Sequence, residues 1–93
     1  MPKALKSFFK ISDYLEEKHG KKRADEFIGQ VKKTIESIEK QPYIFKAAKK
    51  NKAIRKGFVN KFVSMFYKIK EKEEEIDLIE FWDNRQDPKK IKL

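Results

Sequence analysis

The sequence predicts an α+β fold, an N-terminal antiparallel helical hairpin packed on a three-stranded antiparallel sheet. Two observations carry this prediction. Residues 4–19 and 22–40 repeat apolar side chains at helical spacing, and after Pro42 the pattern changes to short runs rich in aromatic and β-branched residues. At 93 residues the chain has material for one core, and one domain is expected over 1–93.

In the first helical stretch Ala4, Leu5, Phe8, Ile11 and Leu15 form one stripe, flanked by Phe9 and Tyr14. Gly20 is a natural stop after His19. The second stretch places Ala24, Ile28, Val31, Ile35 and Ile38 at alternating spacings of four and three, with Phe27 beside them. Gln41-Pro42 ends it, because proline disfavours helical geometry in the residue before it. Residues 43–51 read as a loop anchored by aromatics. Strands are expected over 53–59, 62–69 and 76–82, with turns at Asn60-Lys61 and through the charged run Lys70–Glu75. Asp83–Pro88 leaves the last strand as a loop.

Composition narrows the function classes. The chain has no cysteine, which excludes disulfides, thiolate metal sites and thiol nucleophiles. His19 is the only histidine and falls at a helix end, so no metal site is expected. The glycines are scattered and form no phosphate-cradling loop, and no cofactor is expected. No run approaches the ~20 apolar residues of a membrane span, and the N-terminal lysines interrupt any signal-like stretch, so a cytoplasmic protein without a membrane partner is expected.

Charge is the strongest signal. Residues 42–72 hold ten basic side chains against Glu71 alone, a net +9 that equals the net charge of the whole chain. Such a segment points to a polyanionic partner, either nucleic acid or an acidic protein segment. Arg55, Lys56 and Lys61 are expected on or beside adjoining strands, Tyr67 on the middle one, and Trp82 and Arg85 at the close of the third. Cleaving RNA through its own 2′-oxygen needs a base, positive charge for the phosphorane and an acid. A lysine crowded by other cations is a candidate base, arginines are candidate phosphate clamps, and flat rings can stack on bases. Tyr67 and Trp82 have an equally good reading as core aromatics with a polar tip.

In order along the chain, Ile11–Glu16, the Ala24–Ile38 ladder, Gln41-Pro42-Tyr43-Ile44-Phe45, Ile54-Arg55-Lys56, Phe66–Ile69 and Trp82–Pro88 resemble the RelE/ParE toxins of bacterial type II toxin–antitoxin systems. The resemblance covers roughly residues 4–90. It implies a growth-inhibiting toxin held silent by an acidic antitoxin that folds on it. RelE-like members cut mRNA on the ribosome, whereas ParE-like members inhibit DNA gyrase. On the first pattern Arg55, Lys56 and Arg85 would be catalytic, with Lys61, Tyr67 and Trp82 binding RNA or another target. Arg55, Lys56 and Lys61 would also meet the antitoxin. The chain departs from the RelE-like pattern in having no Tyr or His after Trp82, and both mechanisms stay open. A non-catalytic RNA-binding module and an inactive remnant are the alternatives. The family's opening β-strand has no counterpart before the first helical pattern, so an open sheet edge is expected, available for a homodimer or for an antitoxin strand.

Overall fold

The computed structural model describes residues 2–93. Helix α1 spans Lys3–His19 and α2 spans Lys21–Lys40; β1 (Arg55–Phe58), β2 (Val63–Lys70) and β3 (Glu75–Asp83) follow, and a short 3-10 turn covers Pro88–Lys90. The strands form an antiparallel meander in the order β1-β2-β3, with the long β2 at the centre. This is the expected α+β architecture, with element ends within two residues of those read from the pattern. No helix among the described residues is long and apolar enough to cross a membrane.

A single residue joins the two helices. Gly20 has φ +89° and ψ 166°, a region essentially restricted to glycine. Its N–H donates to the Glu16 carbonyl at 3.0 Å, ending α1, and its own carbonyl accepts from Ala24 at 3.3 Å, starting α2.

The hairpin buries Ala4 and Ser12 from α1 and Ala24, Phe27, Val31, Thr34 and Ile38 from α2. Phe8 stacks on Phe27 and tilts against Phe81, each with ring centroids 5.6 Å apart. The stripes are rotated relative to the sequence reading. Phe27 is in the core and Ile28 at its flank, while Leu5 and Phe9 remain largely outside. The line Ala4–Phe8–Ile11–Leu15 is enough to cover the contact with α2 and β3, so the residues a further hundred degrees round the helix have nothing to meet.

Strand β2 is covered on both faces. Val63, Met65 and Tyr67 join Phe27, Val31, Ile38 and Phe81 under the helices. On the second face Phe66 packs with Ala48, Ile54 and Ile91, bordered by Ile79, Trp82 and Leu93. The loop after α2 and the C-terminal tail therefore fold across the back of the sheet. Lys50 ties them together, its Nζ donating to the carbonyls of Pro88 (2.8 Å) and Ile91 (2.9 Å).

The apolar pattern of β3 requires a bulge. Ile76 and Leu78 alternate in one phase and Ile79 and Phe81 in the other, so a regular strand would put one pair on the wrong face. The pairing shifts between Phe66↔Glu80 and Tyr67↔Leu78, leaving Ile79 as the extra residue. Ile76, Leu78 and Phe81 all reach the helical core as a result, and Ile79 the second-face cluster.

No strand precedes α1 among the described residues, but the sheet edges are partly occupied. Ala47 bridges Arg55 on the outer side of β1, with Lys56 N–H donating to the Lys46 carbonyl at 3.0 Å. At β3 the Ser7 hydroxyl accepts from the Phe81 N–H at 2.9 Å.

Two stability changes follow. Gly20→Ala forces a side chain into this backbone region and should cost about 1–3 kcal/mol; a melting temperature within a degree of the parent would show that the hinge relaxes freely. Ile91→Ala should cost about 2–4 kcal/mol by opening a cavity over Phe66, seen as a lower urea midpoint. An unchanged midpoint would mean that the tail contributes nothing to the core.

Candidate functional site

The meander separates the basic residues singled out by the sequence. Arg55 pairs with Tyr67 and so faces the helices. Its Nη1 donates to the Phe45 carbonyl at 2.5 Å, and its guanidinium lies 4.6 Å from the centre of the Tyr43 ring. Lys56, one residue later, faces the opposite side, with Nζ 5.6 Å from the Phe58 ring centre. Arg85 follows the other end of the sheet, where Asp83 pairs with Val63. Four residues of β2 separate that end from Tyr67, about 13 Å at ~3.3 Å per residue. Arg55, Lys56 and Arg85 thus do not converge.

Tyr67 is fully buried at the centre of β2. Its hydroxyl donates to the Pro42 carbonyl at 2.7 Å, and burial pushes its pKa up. No face of the ring is presented to solvent, and its hydrogen bond pins the loop after α2. Trp82 is half-buried against the second-face cluster, opposite Ser64 on β2.

Lys61 and Arg85 do come together. The turn between β1 and β2 is held by Asn60, whose Oδ1 accepts from the N–H groups of Phe62 (2.8 Å) and Val63 (3.0 Å) while its Nδ2 donates to Gln30 of α2 at 2.8 Å. This presents Phe62 between two cations, with Lys61 Nζ 4.9 Å and the Arg85 guanidinium 5.3 Å from the ring centre. Arg85 is also clamped in two-point fashion to Asp83, through Nε–Oδ1 at 3.0 Å and Nη2–Oδ2 at 2.8 Å. That pairing holds the Asp83 carboxyl below its ordinary range, against a smaller opposing push from burial, and raises Arg85.

Phe62 and Arg85 stand at the mouth of a cleft of about 920 Å³ between the helical hairpin and this end of the sheet. Its apolar wall comes from Ile11, Leu15, Phe27, Val63 and Phe81, with Trp82 at its border. Lys10, Arg23 and Lys61 line it without an ion pair against one unpaired carboxylate, Glu26, whereas Asp83 is committed to Arg85 and Glu80 to Lys3 at 3.2 Å. An apolar trough with surplus cations is suited to an amphipathic segment carrying carboxylates. Among the described residues no group of three or more His, Cys, Asp or Glu side chains could hold a metal ion.

The sequence reading did not single out Lys10, Tyr14, Arg23, Gln30 or Phe62 as parts of a site. Helical spacing held the clue: Lys10 and Tyr14 are four apart on α1, and Arg23, Phe27 and Gln30 follow at four and three on α2. Phe62 had no such signal, since its position depends on the turn.

Because the Asp83 pKa is lowered in the folded state, its pairing stabilises the chain fully above the unfolded value of about 3.9 and is lost as pH falls through the folded value. Asp83→Asn should therefore flatten part of the acid limb of a urea-midpoint-against-pH profile below about pH 4; superimposable limbs would mean that the clamp does not form in solution.

A family model for the ParE toxin of the type II toxin–antitoxin system parDE matches residues 1–88. No curated protein matches the chain. The family match takes in both helices, all three strands and every residue placed around the cleft. The protein accordingly belongs to the ParE toxin family of type II toxin–antitoxin systems, a family that implies a cognate antitoxin as its partner.

Proposed function

We propose that this toxin arrests growth in the cytoplasm by inhibiting DNA gyrase, without cutting RNA, and is silenced when an acidic segment of its antitoxin folds into the cleft beside Phe62. The observation that carries the mechanism is the dispersal of Arg55, Lys56 and Arg85. General acid–base cleavage of RNA requires its groups within hydrogen-bonding reach of one phosphate. Here Arg55 is bound to a backbone carbonyl on the helix side, Lys56 faces the other way, and Arg85 is paired with Asp83 at the far end of β2. The family match supports the gyrase branch over the ribosomal one.

The antitoxin reading rests on the cleft. Lys10, Arg23 and Lys61 give carboxylates something to meet, and the apolar wall gives a folding segment something to bury. Ordering a disordered segment costs free energy, which apolar burial in this trough offsets.

The purified chain should inhibit gyrase supercoiling and leave mRNA intact in a reconstituted translation reaction. New cuts confined to translating ribosomes, in a primer-extension assay with a parallel positive control, would overturn the mechanism. Reversing charge with Lys61→Glu and Lys10→Glu should weaken capture of the cognate antitoxin at least ~10-fold, since like charge opposed to carboxylates costs several kcal/mol. Undiminished capture at moderate salt would move the antitoxin off this cleft.

A further inference from the structure

The back of the sheet carries a second and separate charged surface. Residues 46–56 hold five lysines and no acid, besides Arg55, which faces the helices, and residues 88–93 hold three lysines and no acid. Although these segments are distant in sequence, the structure lays them side by side over Phe66, joined by the bonds from Lys50 to the Pro88 and Ile91 carbonyls. Lys49, Lys52, Lys89, Lys90 and Lys92 are all exposed. None of them forms an ion pair. Lys56 extends the surface onto β1 as far as the exposed Phe58 ring, whereas Lys68 on the same face of β2 is opposed across the strands by Asp77.

We propose that this lysine face binds the phosphate backbone of duplex DNA without reading sequence. Three features favour a nucleic acid over an acidic protein. The large apolar residues of both segments, Ile54, Ile91 and Leu93, are turned inward with Ala48, and neither segment has an exposed large apolar side chain to anchor a protein interface. Protein interfaces are depleted in lysine at their centres and enriched in aromatics, whereas residues 46–56 and 88–93 are rich in lysine and hold no aromatic, and Phe58 lies only at their border. The charge is also held in place, because the Pro88–Lys90 turn is capped by Asp87 and the tail is bonded to Lys50. Duplex DNA offers one charge per ~1.7 Å of axis, so a rigid lysine face meets several phosphates at once and releases their counterions. Lysine supplies point charge without the planar fork that reads base edges, so binding is indifferent to sequence. The face lies across the sheet from the helical hairpin, so a toxin with its cleft occupied still presents it.

The test is fluorescence anisotropy of the full chain with a labelled duplex of about 20 base pairs, titrated between about 50 and 200 mM salt. With about four phosphates neutralised, affinity should fall about 100-fold over that range, equally for two unrelated sequences. The fourfold variant Lys49→Ala, Lys52→Ala, Lys89→Ala, Lys90→Ala should lose at least ~30-fold in affinity at the lower salt and most of the salt dependence. These side chains make no hydrogen bonds, and Lys50 is left intact, so the variant should keep the parent melting temperature. Lys10→Glu with Lys61→Glu should bind the duplex within a few-fold of the parent. Absence of duplex binding at low salt, equal binding by a folded fourfold variant, or a strong preference between the two sequences would each overturn the proposal. So would displacement of the duplex by a glutamate-rich peptide as readily as by unlabelled duplex at equal charge, which would reassign the face to an acidic protein.

Discussion

The fold depends on β2 being dry on both faces. A central strand of a three-stranded sheet that lay on the helices alone would leave Phe66 and Ser64 against water. Instead Val63 through Tyr67 are buried without a break, because the 46–54 loop and the C-terminal tail seal the side that the helices do not reach. Backbone groups inside such a strand have no water to fall back on, so the register with both neighbours is held firmly. The bulge at Ile79 and the Tyr67 hydroxyl bond to Pro42 both serve this arrangement. The first turns the apolar residues of β3 inward, and the second seats the loop that begins the back-face cover.

The same seal distributes the charge. With 24 basic and 15 acidic side chains, the described residues form only two ion pairs, Lys3–Glu80 and Arg85–Asp83. The net charge therefore resides on side chains free to meet a partner, and the sheet divides them. Cations on the helix side line an apolar trough, whereas cations on the back lie over a closed core with no apolar opening. One surface suits a partner that buries side chains and the other suits a partner that supplies only charge.

Much of the architecture could be read from residue order. The helical stripes, the glycine stop, the Gln41-Pro42 break and the β-branched runs are local signals, and each states its own secondary structure. Their limits were equally local. Apolar spacing did not distinguish Phe27 from Ile28 as the core residue, because both lie within one broad stripe and only the position of Phe8 and Phe81 selects between them. Tyr67, a candidate for stacking on a partner's bases, is the most buried aromatic of the sheet. An aromatic in a strand looks the same in sequence whether it faces a core or a ligand.

The sequence by itself determined the fold class, the strand and helix order, the family resemblance and the excess of positive charge, since these depend on composition and on neighbours within a turn or a strand. Tertiary structure alone decided which charges share a surface. Alternation along β1 sends Arg55 and Lys56 to opposite faces, the antiparallel meander puts Arg85 at the far end of β2 from Arg55, and the returning tail brings Lys89 and Lys90 beside Lys49 and Lys52. Those juxtapositions link residues up to some forty positions apart, and they arise from closing the core over β2.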